Sequence, residues 1–108
     1  MSVNLTKSEE FIEKKSSELY CNFPHINQNY IENIIWYKDD EPIGNIINIT
    51  YSNDYKTLIF VYLNRTIHNG TYFCALNTNY TTKQEFKSQK DNVTILGMMN
   101  MGNILFIS

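Results

Sequence analysis

Basic runs, long apolar stretches and glycine-rich loops are all missing from this 108-residue chain. Nine Lys and Arg stand against eleven Asp and Glu, so nucleic acid finds no electrostatic foothold on a molecule of net charge −2. No stretch is long or apolar enough to span a bilayer as a helix. Glycine, at four residues, is too sparse to build a phosphate-cradling loop. Histidine is limited to His25 and His68, neither of them near a second His or a free Cys at metal-site or triad spacing. Asp39, Asp40 and Glu41 are adjacent, which suits a solvated turn better than a cation site. Ser16-Ser17 has no neighbour to activate it. An enzyme is not expected, nor a cofactor, nor a metal. With no internal repeat and no low-complexity linker, the length fits a single domain.

Cysteine is scarce too, and here scarcity is informative. Cys21 and Cys74 lie outside any Cys/His metal spacing and fit one disulfide. A bridge of that kind persists in an oxidising compartment, so a secreted or extracellular protein is expected. Six Asn-x-Ser/Thr acceptors, at Asn4, Asn48, Asn64, Asn69, Asn79 and Asn92, point the same way. An Asn-rich composition also generates that motif by chance. The first residues, Met-Ser-Val-Asn-Leu-Thr, lack the apolar core of a signal peptide. Secretion then implies that a leader has been removed and that Met1 is a cloning start.

The stretch Lys56–Leu76 reads as a strand, a corner and a second strand that ends in a cysteine. Leu58, Phe60 and Leu63 fall at inward-facing spacing, with a one-residue slip before the last. Asn64 to Gly70 is rich in the Asn, Thr and Gly that corners need. Tyr72 sits two residues before Cys74, so both share a face, and its hydroxyl can turn back onto the corner backbone. Upstream, Leu-Tyr-Cys21 and Ile-Ile-Trp36 complete a Cys…Trp…Cys order. These features predict an all-β fold, an immunoglobulin-like β-sandwich with one inter-sheet disulfide, Cys21–Cys74. Trp36, Tyr72, Leu58, Phe60 and Leu63 are its expected structural residues.

Along the chain, residues 1–15 read as a flexible, charged arm, 16–96 as the sandwich domain and 97–108 as an apolar tail. Strands are expected at Glu18–Phe23, Asn33–Lys38, within Ile43–Thr50, across Lys56–Leu76 and at Lys83–Gln89. The tail, rich in Met, Ile, Leu and Phe, offers a surface for a partner or for a homodimer. Binding is the expected function. Apolar residues on outward strand positions mark the candidate contact: Ile35 and Tyr37 alternate with Trp36, and Ile59 and Val61 with Leu58 and Phe60. Ile43, Ile46 and Tyr51 join them from the segment between.

Lys56-x-Leu58-x-Phe60-x-x-Leu63, then Ile67-His68 and Tyr72-Phe73-Cys74-Ala75-Leu76, resembles the secreted interleukin-18-binding proteins. In that family a leucine-rich strand leads to a Leu-His corner and an aromatic-x-Cys-x-Leu ending. His68 stands where a standard immunoglobulin corner carries an Asp. With the Asn- and Ile-rich composition, the chain looks like a poxvirus-encoded member, a decoy that captures a host cytokine. The resemblance spans Cys21 to Leu76 and implies a single soluble domain whose face around the third strand and its neighbour covers the cytokine's receptor site. Family members place Tyr before the Trp and Phe-Ile-Glu-His-Leu on the next strand. This chain has Ile35 and Pro42-Ile43-Gly44-Asn45-Ile46 there, so contact residues carry over poorly. Trp36-Tyr37-Lys38-Asp39 followed by Pro42-Ile43 also looks like interleukin-1-receptor-like domains, which usually come as several domains with further cysteines. A different viral immunoglobulin module or a self-associating adhesion module remains a distinct alternative.

Overall fold

The computed structural model describes residues 2–79, 81–101 and 104–107, so Tyr80 and parts of the expected apolar tail lie outside the described residues. Two antiparallel sheets face each other across a single core. The first contains β1 (Asn4–Lys7), β2 (Ser17–Asn22), β6 (Thr57–Phe60) and β5 (Ile49–Tyr51), in the spatial order β1-β2-β6-β5. The second is ordered β4-β3-β7-β8, from β4 (Glu41–Pro42), β3 (Ile31–Lys38), β7 (Gly70–Asn79) and β8 (Lys83–Lys87). A further strand, β9 (Asp91–Val93), continues alongside β7. Among the described residues, β10 (Met98–Met101) and β11 (Ile104–Ile107) form a separate antiparallel pair.

Period-2 patterning accounts for the sandwich. In β2, Ser17, Leu19 and Cys21 are buried while their neighbours are half-exposed, and Leu58 and Phe60 repeat this in β6. β7 turns Tyr72, Cys74, Leu76 and Thr78 inward. The expected disulfide is present: Cys21 of β2 bridges Cys74 of β7, with 6.1 Å between their Cα atoms. It ties the two sheets together and closes a loop of 53 residues, a constraint on the unfolded chain of about 4 kcal/mol. Trp36, Tyr72, Leu58, Phe60 and Leu63 are all buried. Phe60 is a hub, in edge-to-face contact with Phe11, His68 and Tyr72 at 5.8, 5.5 and 5.5 Å between ring centroids.

Three stretches depart from the sequence reading. Residues 1–15, read as a flexible arm, supply β1 and three core side chains, Val3, Leu5 and Phe11. Charge dominates that segment's composition, but its apolar residues sit where β1 pairs with β2. Gln89 reinforces the placement, since its side-chain amide donates to the Leu5 carbonyl at 2.6 Å and accepts the Leu5 N–H at 3.0 Å. Farther on, Leu96 forms a parallel bridge with Ile12. Next, Ile43–Asn48 is not a strand. β4 ends at Pro42, and Ile49–Tyr51 pairs with β6 in the opposite sheet. Finally, the last strand of the second sheet is interrupted. Ser88 leaves the ladder between β8 and β9, its hydroxyl accepting the Cys74 N–H at 3.0 Å.

Candidate partner-binding face

The outer surface of the second sheet is assembled by register. Ile35 lies opposite Ala75 and Tyr37 opposite Phe73 across β3 and β7, while Ala75 lies opposite Lys87 of β8. Because Trp36, Tyr72 and Cys74 point into the core, these five residues occupy the other side of the sheet. Tyr37 and Phe73 stack in parallel, with centroids 4.5 Å apart and planes within 4°. Lys87 and Lys90 place their ammonium groups 5.9 and 5.6 Å from the Phe73 ring centre. Phe73 is therefore only 5 % exposed although it faces outward. The result is a pre-packed aromatic platform rimmed by cations, and rigidity of this kind lowers the entropy lost on binding.

One end of the platform is shaped by the β3–β4 turn. Asp39 and Asp40 both adopt left-handed backbone, with φ of 52° and 66°, as a two-residue hairpin loop requires. The turn is held from the side: Asp39 accepts the Thr71 N–H at 3.0 Å and the Lys38 ammonium at 3.0 Å. Those two bonds, the Thr71 one foremost, hold the Asp39 carboxyl below the usual carboxylate range. Gly70 permits the approach, because a Cβ there would stand 2.9 Å from the Asp39 carboxylate. Lys90 pairs with Asp40 on the exposed rim, where such a bridge adds under about 1 kcal/mol.

A shallow cleft of about 190 Å³ adjoins the platform, lined by Ile34, Ile35, Trp36, Ile43, Tyr51 and Tyr55. Its wall is fixed by the Trp36 indole, which donates to the Tyr55 carbonyl at 2.8 Å. The Tyr51 and Tyr55 rings lie 5.5 Å apart. Burial raises the Tyr51 phenol above its ordinary pKa, with a smaller contribution from Tyr55. Apolar walls with two phenol groups suit an aliphatic or aromatic side chain from a protein partner.

The seven contact residues expected from the sequence do not form one surface. Ile35 and Tyr37 lie on the platform, and Ile35, Ile43 and Tyr51 meet in the cleft. Ile46 is half-buried in the loop before β5. Ile59 and Val61 belong to β6 and its end, in the opposite sheet, so a flat partner cannot touch them together with Tyr37. Phe73, Lys87 and Lys90 complete the platform although sequence reasoning passed them over. Phe73 carried a legible signal, since it alternates with the inward Tyr72 and Cys74. The lysines become legible only once the β7–β8 register is known.

The acceptor asparagines are exposed except Asn64, which is half-buried. Asn79 and Thr71 sit at opposite ends of the outward row of β7, and Thr71 donates to the Asn92 side chain at 2.7 Å. Sequons at Asn79 and Asn92 thus flank the platform.

No family model matches the chain, and no characterised protein matches it by sequence. Solved structures do match. Murine CEACAM1b aligns with a TM-score of 0.71 at 18 % identity, over 88 % of this chain and 44 % of that one. Hemolin, an insect immune protein described in terms of homophilic adhesion, gives 0.69 at 17 % identity, over 94 % and 26 %. A chain from the complex of a mouse coronavirus receptor-binding domain with its murine receptor gives 0.68 at 19 % identity, over 88 % and 44 %. The fold is immunoglobulin-like. At these identities the likeness concerns fold alone, and the chain spans less than half the length of each of these three. The expected immunoglobulin-like sandwich with its inter-sheet bridge is the architecture found. No helix among the described residues is long and apolar enough to cross a membrane.

Proposed function

We propose that this immunoglobulin-like domain is an extracellular protein-binding module, acting as a secreted decoy that captures interleukin-18 and keeps it from its receptor. The observation that carries the binding reading is the Tyr37–Phe73 platform with its adjoining apolar cleft. It is a pre-packed, cation-rimmed aromatic face. An inter-sheet disulfide supports an extracellular setting. Protein recognition is also what the murine receptor and the adhesion protein hemolin are named for. The choice of cytokine comes from the Lys56–Leu76 segment, whose strand, His68 corner and Tyr72-Phe73-Cys74-Ala75-Leu76 ending resemble interleukin-18-binding proteins. In this reading Ile35, Tyr37, Ile43 and Tyr51 meet the cytokine together with Lys87, Phe73 supports them from beneath, and Ile46 lies at the margin.

The test is binding of immobilised, disulfide-intact protein to interleukin-18, with interleukin-1β as control. Tight and selective binding of interleukin-18 is the expected result. Capture of interleukin-1β alone overturns the assignment in favour of a receptor-like module, and silence with both removes the cytokine reading. Self-association is the second reading, favoured by the likeness to hemolin and by the apolar sequence of the β10–β11 pair. Sedimentation across a range of concentrations separates it, because a decoy stays monomeric until the cytokine is added.

A further inference from the structure

Away from the platform, two exposed segments meet at the edge of the first sheet. The Val61 N–H donates to the Asn48 carbonyl at 2.9 Å, bringing the end of β6 against the loop that precedes β5. Around this junction Ile47, Val61 and Tyr62 are 63, 54 and 45 % exposed. They are three of the five large apolar or aromatic side chains exposed among the described residues, so exposed apolar surface is concentrated here.

Asn48 lies within that patch and opens the sequon Asn48-Ile49-Thr50. Its backbone is left-handed, with φ of 63°, a conformation that Asn tolerates better than most residues. Ile49 is meanwhile half-buried opposite Phe60, while Asn48 and Thr50 stay exposed. Three of the other five acceptors are committed to the fold's own bonds. Asn64 caps the short helix Arg65–His68 through Thr66 N–H at 2.9 Å, and Asn69 accepts the Ile95 N–H at 2.8 Å. Asn92 takes the Thr71 hydroxyl. Asn48 is not tied in this way among the described residues.

We propose that Asn48 carries an N-linked glycan whose first sugars lie over Ile47, Val61 and Tyr62. The donor is a lipid-pyrophosphate-linked oligosaccharide of the secretory pathway. The Asn48 Nδ2 bonds to the anomeric carbon as the carbon–oxygen bond to the pyrophosphate breaks; the amide gives up one proton and the lipid pyrophosphate leaves as the anion. An N-acetylglucosamine offers a C–H face and an acetyl methyl to the phenol ring and the two aliphatic side chains, and its hydroxyls to water. Water is thereby removed from apolar surface without a protein partner. The inference rests on the extracellular reading but not on the identity of the partner.

Glycopeptide mapping of the full chain, secreted from mammalian cells, is expected to find Asn48 occupied. Occupied sequons elsewhere with Asn48 bare overturn this proposal alone, whereas no occupancy at any of the six overturns the extracellular reading with it. Thr50→Ala removes the glycan and keeps Asn48, with Thr50→Ser as the control that retains the sequon. Binding of an apolar-surface dye such as bis-ANS should rise several-fold in Thr50→Ala and stay low in Thr50→Ser. Adding Val61→Ser and Tyr62→Ser should bring it back down. Enzymatic release of the glycans from folded wild-type protein gives the same readout should the variant fold poorly. Unchanged dye binding after glycan loss would sink the shield.

Discussion

Tyr72 and His68 show how one corner is fixed by atoms rather than by surface area. The Tyr72 hydroxyl donates to the His68 carbonyl at 2.7 Å, within a buried setting. The His68 ring is fully buried; Nδ1 accepts the Asn64 N–H at 2.9 Å, which places the ring proton on Nε2, 2.8 Å from the Ile47 carbonyl. Where a standard corner uses an acid and a base, this one ties the corner to the loop before β5 with a single imidazole and buries no ion pair. Tyr72→Phe should cost about 1 kcal/mol in chemical denaturation, since it leaves a buried carbonyl unpaired. Burial, with smaller contributions from Asp39 and Tyr51, raises the Tyr72 phenol above its ordinary range. The folded chain then keeps that proton where the unfolded chain has lost it. The sign follows: this contribution is fully present below about pH 10 and falls above it, by at most about 1.4 kcal/mol per pH unit for one group. Stability measured from pH 8 to 11 should therefore decline less steeply in Tyr72→Phe than in the wild type; identical slopes would remove Tyr72 from the alkaline limb.

At the scale of elements, strand register decides which residues share a surface. A single offset between β3 and β7 sets Tyr37 against Phe73, and the same ladder turns Trp36 and Cys74 inward. β6 repeats the alternation in the other sheet, so Ile59 looks outward on the far side of the molecule. If the platform is the contact, Tyr37→Asp should weaken partner binding by more than about 2 kcal/mol, roughly thirtyfold, with the fold intact by circular dichroism. Ile59→Asp should leave affinity within about twofold of wild type, well under 1 kcal/mol. The reverse pattern would move the site to the first sheet. The sequence already carried the alternation around Trp36 and around Phe60. It did not carry the pairing of strands, because each half-buried strand presents an outward face and nothing local says which sheet it joins. The same ambiguity turned the apolar Ile43–Asn48 stretch into an expected strand. That stretch instead crosses from β4 of the second sheet to β5 of the first.

For the whole molecule, the two sheets share one core that the disulfide spans. Reduction of the folded protein, or Cys21→Ala with Cys74→Ala, should remove about 4 kcal/mol. That is a large share of the stability open to a domain of this size, so equilibrium unfolding should shift to much lower denaturant. A shift under about 1 kcal/mol would mean that the reduced, unfolded chain already holds the two cysteines close. The N-terminal segment belongs to the same accounting, since Val3, Leu5 and Phe11 join the core cluster that also holds Val93 and Ile95.

By itself, the sequence determined the sandwich, the bridge and the corner. Cys21, Trp36, Tyr72 and Cys74 act through spacing and local geometry, which a linear chain displays directly. Leu58 and Phe60 likewise announce their burial through period-2 alternation. Only the tertiary structure decided that Ile35 and Tyr37 part company from Ile59 and Val61. It also recruited Phe73, Lys87 and Lys90 to the platform, and brought Val61 against Asn48. Each of those outcomes depends on which strands pair and in what register, a long-range choice made by the competition among all edges for hydrogen bonds and by the shape of the shared core.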